Sequence, residues 1–138
     1  NIRTELQDAS VCREEWKDSA DVVLCDVPCS GLGIIRKKPE IRFKNPDEIR
    51  TLPEIQARIL ANCAQYVKKG GTLVYSTCTI LQRENEDVVR AFLTENPEFE
   101  AVSWTHPVCG ERADGMVTLL PPVHNTDGFF IAKMHRKV

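Results

Sequence analysis

A chain of 138 residues, 42% hydrophobic and 28% charged, has the size and composition of one globular domain able to bury a core. Its formal net charge of −2 selects no partner by sign, and no apolar run approaches the roughly 18 residues that a membrane-spanning helix needs. Six cysteines without any C-x-x-C spacing, and histidines that stand at no ligand spacing to them, speak against a disulfide framework and against zinc; they read as free thiols of a reducing cytoplasm, with no metal expected.

The chain opens at Asn1 without a methionine and inside a predicted strand (residues 1–6, Ile2, Thr4 and Leu6 alternating), so it is expected to be part of something longer. Gln7-Asp8-Ala9-Ser10 is the exit from that strand, and residues 11–18 form a short amphipathic connection. Residues 21–25, Asp-Val-Val-Leu-Cys, predict a buried strand that runs directly into Asp26-Val27-Pro28-Cys29-Ser30-Gly31. A loop over residues 31–45 follows, with Gly31, Gly33 and Pro39 as breakers, and it carries Arg36, Lys37, Lys38, Arg42 and Lys44 against the single acid Glu40.

Asn45-Pro46-Asp47-Glu48 is a helix start, with a cap residue, a proline and acids in the first turn. Pro53 is expected to break that helix or to begin a second one. The stripe Ile55, Ile59, Leu60, Cys63 and Val67 continues it to Lys68-Lys69-Gly70-Gly71, which reads as the closing turn. Residues 73–76 predict the second strand, and Ser76-Thr77-Cys78-Thr79 ends it. Residues 84–95 predict an amphipathic helix with Val88, Val89, Phe92 and Leu93 inward. Short extended pieces follow at 99–104, 117–120 and 129–134. Strand and helix alternate and then give way to a run of strands, which predicts one α/β unit whose mostly parallel sheet finishes in an antiparallel edge.

Two cysteine-bearing turns thus leave adjacent strand ends, where open parallel sheets bind ligands. Cysteine adds readily to an electron-poor carbon when its surroundings favour the thiolate. An acid beside it, Asp26, can exchange a proton with a ring nitrogen. The residues suggest a division of labour: one thiol attacks, the acid manages the ring, and the second thiol assists breakdown of the adduct.

The segments Asp26-Val27-Pro28-Cys29-Ser30-Gly31, Gly70-Gly71-Thr72-Leu73-Val74-Tyr75-Ser76-Thr77-Cys78 and Asp127-Gly128-Phe129-Phe130-Ile131-Ala132-Lys133 resemble the RNA (cytosine-C5) methyltransferases. Residues 33–41, Gly-Ile-Ile-Arg-Lys-Lys-Pro-Glu-Ile, are most similar to the bacterial 16S ribosomal RNA branch of the RsmB (Sun/Fmu) type. The likeness implies the carboxyl-terminal part of a Rossmann-like, S-adenosylmethionine-dependent sheet, with residues 1–138 as a single incomplete catalytic domain. It also implies methyl transfer to C5 of a cytosine in 16S ribosomal RNA through a covalent cysteine–C6 adduct. Position by position, Cys78 matches the nucleophile, Cys29 the thiol linked to release, and Asp26 the acid between cofactor and base. Asp8 and Pro28 fall on the cofactor side.

The chain departs from the family in lacking the glycine-rich loop of the first strand and the acid that holds the ribose. Alone it is therefore expected to bind S-adenosylmethionine poorly and to turn over slowly or not at all. The missing half and an RNA-binding domain are its expected partners, and a bare edge at residues 2–6 is expected to promote self-association. Arg36, Lys37, Lys38, Arg42 and Lys44 are the expected contacts to RNA phosphates, a solvated charged loop being the alternative. Two other functions stay open from the sequence. A non-catalytic RNA-binding or assembly module would tolerate loss of either cysteine. The other is a cysteine-dependent hydrolase or redox protein, of which the hydrolase would need His106, His124 or His135 beside a thiol.

Overall fold

Alternation along the chain decides which way the first strand faces. In Ala20–Asp26 (β1), Val23 and Cys25 pack toward the core, while Val22 and Leu24 are 64% and 67% exposed on the other side. The computed structural model describes residues 1–138. β1 pairs in parallel with Val67–Thr77 (β2), placing Cys25 opposite Tyr75 and Asp26 opposite Ser76. Parallel neighbours need a crossover, and the helix Pro46–Ala64 (α1) supplies it. Glu86–Glu95 (α2) follows β2 and packs against α1.

β2 then meets Phe129–Arg136 (β7) in antiparallel register. The far edge of β7 takes Phe99–Ala101 (β3) and Met116–Leu119 (β6) one after the other, both antiparallel. Trp104–His106 (β4) and Gly110–Arg112 (β5) form a separate hairpin, and Pro121–His124 (α3) is a single turn before β7. The predicted α/β sheet of parallel strands with an antiparallel finish is observed, although β1 and β2 are its one parallel pair and every pairing of β7 is antiparallel. Leu60 of α1, Val89 of α2, Leu73 and Tyr75 of β2, and Phe130 and Met134 of β7 are fully buried between the helices and the sheet. Each such side chain contributes roughly 1.5–3 kcal/mol by leaving water.

Three local expectations are corrected. Residues 1–8 form no strand: Ile2 and Leu6 are exposed, and the segment is held by ion pairs of Glu5 with Arg3 and Arg13 and by hydrogen bonds of Gln7 and Asp8 with residues 10 and 11. Alternation alone does not make a strand without a ladder partner, and the free edge of the sheet is β1 instead. Pro53 lies inside one unbroken helix. Its ring costs roughly 3 kcal/mol in a helix interior. Burial of Ile49, Ile59 and Leu60 on one face of α1 offsets that loss. Finally, α1 stops at Ala64, so residues 68–71 belong to β2 rather than to the helix; the register jumps there from Ala20–Val67 to Val22–Thr72, and the lysine–glycine segment bulges out.

Candidate active site

Because β1 and β2 run parallel with Asp26 opposite Ser76, the turns that follow them leave the same end of the sheet. Cys29 lies three residues beyond β1 and Cys78 directly follows β2. Their sulfurs are 3.1 Å apart, both thiols are free, and both are half-buried. They share the wall of a cleft of ≈ 390 Å³, with Ile34 and Ile41 as apolar lining and Lys38, Glu40 and Lys44 as its charged groups.

The backbone around the pair is closely specified. Gly31 adopts φ 76°, a left-handed turn that glycine accepts without strain. The Gly33 amide donates to the Cys78 carbonyl (3.0 Å), and the Gly33 carbonyl accepts from the Gly128 amide (2.8 Å). A Cβ on Gly33 would stand 2.1 Å from the Gly128 carbonyl oxygen, so this crossing of three segments requires glycine. The Lys44 ammonium donates to the Ser30 carbonyl (2.9 Å), drawing the basic loop over the Cys29 turn.

Electrostatics set Cys29 apart from an ordinary thiol. Burial, reinforced by the neighbouring Cys78, pushes the Cys29 thiol up to about 12 from its ordinary 9.0. Cys29 therefore stays protonated at neutral pH and can donate to the Cys78 sulfur. Asp26 ends β1 in an exposed position; one of its carboxylate oxygens accepts the Ser76 hydroxyl (2.7 Å), and Pro28 beside it is also exposed.

Cys29, Cys78, Asp26 and Pro28 thus come together at one end of β1 and β2, whereas Asp8 does not join them. Asp8 closes a turn through its bonds from the Ser10 amide and hydroxyl. The carbonyls of Ala9 and Val11 are held by Asn62, near the end of α1 that feeds the start of β2, opposite to the cysteines. Of the five predicted cations, only Lys38 and Lys44 line the cleft. Arg36 and Lys37 pair with Asp127, a partner distant in sequence, and Arg42 bonds the Pro39 carbonyl of its own turn.

No histidine lines the cleft. His106 and His124 accept amides of their own turns, and His135 sits opposite Thr72, toward the other end of β2. That placement removes the general base a hydrolase would need. No group of three or more histidine, cysteine, aspartate or glutamate side chains is arranged to hold a metal ion.

Sequence reading missed Gln56, Glu84 and Asn85, which are fully buried behind the two turns. Glu84 and Asn85 precede an amphipathic helix and look like its cap and first-turn acid, so their signal is absorbed by that role. A polar Gln56 among the apolar residues of α1 was the one available hint.

Comparison with known proteins adds an independent line. Residues 2–135 match the family described as 16S rRNA methyltransferase RsmB/F. Over 99% of its length the chain is 43% identical to the probable ribosomal RNA small subunit methyltransferase B of Bacillus subtilis, and it spans 32% of that relative. Among solved structures, PH0851 aligns with a TM-score of 0.86 at 37% identity, over 94% of this chain and 30% of that one. NSun6 from Pyrococcus horikoshii, solved with SFG, aligns with a TM-score of 0.77 at 24% identity, over 99% of this chain and 35% of that one, a likeness of fold alone.

Proposed function

Since the chain belongs to the RsmB/F family of 16S rRNA methyltransferases, we propose that its protein methylates C5 of a cytosine in small-subunit ribosomal RNA, with Cys78 as the nucleophile. The observation that carries this reading is the pair of free thiols 3.1 Å apart in one cleft without a histidine. C5 of cytosine is a poor nucleophile until a sulfur adds to C6. The Cys78 thiolate forms that C–S bond, and the ring electron pair moves toward C5. That pair forms the bond from C5 to the incoming methyl group. The C5 proton then passes to water, the C5–H electrons restore the C5–C6 double bond, and the C6–S bond breaks with its electrons leaving on Cys78.

Cys29 suits the release step. Held as a thiol by its burial, it stands within hydrogen-bond reach of the departing sulfur and stabilises it by donating S–H. S-adenosylmethionine supplies the methyl group in this reading. The exposed Asp26 carboxylate, oriented by Ser76 and flanked by Pro28, is an anionic group suited to a cationic sulfonium donor. Lys38 and Lys44 at the cleft favour the phosphates of a nucleotide turned out of its stack. The chain spans 32% of its Bacillus subtilis relative, and we assign the activity to the full-length protein rather than to these 138 residues alone.

The test incubates the full-length protein with S-adenosylmethionine and small-subunit RNA carrying 5-fluorocytosine, whose fluorine cannot leave as a proton does. Wild type and Cys29→Ala should accumulate a covalent protein–RNA adduct, and Cys78→Ala should form none. An adduct in Cys78→Ala would remove Cys78 from the nucleophile's role. RNA binding without any adduct in wild type would overturn the reaction itself.

A further inference from the structure

We infer that Glu84 and Asn85 are the positioning residues of the cysteine pair, Glu84 setting Cys29 and Asn85 setting Cys78. The inference rests on the reading of those thiols as a working pair. Glu84 is fully buried, and its Oε2 accepts from the Ser30 amide (2.9 Å) and from Gln56 Nε2 (2.9 Å). The same Gln56 nitrogen donates to the Pro28 carbonyl (3.0 Å). The backbone on both sides of Cys29 is therefore tied to one carboxylate.

Asn85, also fully buried, does the same for Cys78. Its Oδ1 accepts the Thr77 hydroxyl (2.6 Å) and its Nδ2 donates to the Thr79 carbonyl (3.1 Å). Ser30 and Thr79 join the two turns directly through their hydroxyls (2.8 Å), and the Tyr75 hydroxyl holds the Glu84 carbonyl (2.6 Å) against β2. Neighbours in sequence have Cα atoms about 3.8 Å apart, so one rigid peptide unit spans the two turns.

Two features separate this brace from ordinary packing. An asparagine at a helix start normally caps the following amides. Asn85 occupies that position on α2, yet its side chain makes no cap bond and is turned to Thr77 and Thr79 instead. A buried carboxylate is likewise a poor stability device, since an apolar side chain would fill the same space without desolvating a charge.

The test reads the geometry of the pair without RNA. In the full-length protein, oxidised glutathione is equilibrated with the Cys29 and Cys78 thiols; a bond forms between the two sulfurs as their electrons and protons pass to glutathione, giving two glutathione thiols. Peptide mapping follows the 29–78 crosslink. Glu84→Ala and Asn85→Ala should each lower its equilibrium constant by about tenfold, the scale of lost buried hydrogen bonds. Glu84→Gln keeps an acceptor for Ser30 and Gln56 and should stay within about threefold of wild type.

Val88→Ala, which removes core packing from α2 but none of the hydrogen bonds to the turns, should leave the constant unchanged. Gln56→Leu removes the bonds to Pro28 and to Glu84 but leaves Glu84 on the Ser30 amide; it should give an intermediate loss and serves if Glu84→Ala does not fold. Equal losses in Glu84→Ala, Asn85→Ala and Val88→Ala would reduce the brace to general stability and overturn the proposal, as would no loss in the first two. A normal crosslink together with a failed 5-fluorocytosine trap would instead count against methyl transfer.

Discussion

Cys29 differs from an ordinary thiol because burial and Cys78 push it up to about 12 from 9.0. A raised thiol value favours the protonated fold. Its contribution to stability is fully present below pH 9.0 and is lost as pH rises through about 12. Alkylation by iodoacetamide, followed peptide by peptide, should leave Cys29 nearly unlabelled at neutral pH and accelerate only in strong alkali. Cys78→Ala should shift that profile partway down, because burial is the larger cause and remains. A Cys29 that labels like a free thiol at pH 8 would contradict the burial argument.

Asp127 gives the matching statement for the basic loop. Lys37, and less strongly Arg36, hold its carboxyl below the ordinary 3.8. Those pairs are present above pH 3.8 and are lost as pH falls through the lower folded value. Asp127→Asn should free both cations, tightening binding of the full-length protein to RNA and steepening its salt dependence. A salt series showing the same slope for both proteins would mean that neither cation reaches a phosphate.

At the level of elements, the crossing of Gly33 and Gly128 locks the loop to the end of β2 and to the start of β7. Gly33→Ala should cost roughly 1–3 kcal/mol by overpacking, measured by urea unfolding. It should also weaken formation of the RNA adduct, since the same Gly33 amide holds the Cys78 carbonyl. An alanine variant with wild-type stability would show that the loop can move aside. The elements β1, α1, β2 and α2 were legible from period and caps. The passage of α1 through Pro53 was not, because local propensity carries no information about the buried face that overrides it.

Across the molecule, one face of the sheet is covered by α1 and α2, whereas the other shows Val22 and Leu24 on the free strand β1. An apolar groove lined by Val74, Trp104, Ile131 and Lys133 lies on the sheet as well. An open strand edge beside exposed apolar side chains favours association. The isolated chain of 138 residues should self-associate in sedimentation velocity, and Leu24→Lys should shift it toward monomer without lowering its melting temperature. A monomeric wild-type chain at high concentration would remove this expectation.

The sequence by itself determined the α/β class, the two cysteine turns at neighbouring strand ends and the family, because strand period, turn chemistry and motif order are written in consecutive residues. Tertiary structure alone decided that residues 1–8 find no ladder partner, that Asp127 occupies two of the basic residues, and that Gln56, Glu84 and Asn85 stand behind the thiols. The physical reason is common to all three. Pairing, neutralisation and burial depend on which distant segments meet, and a residue's own neighbours in the chain do not encode that.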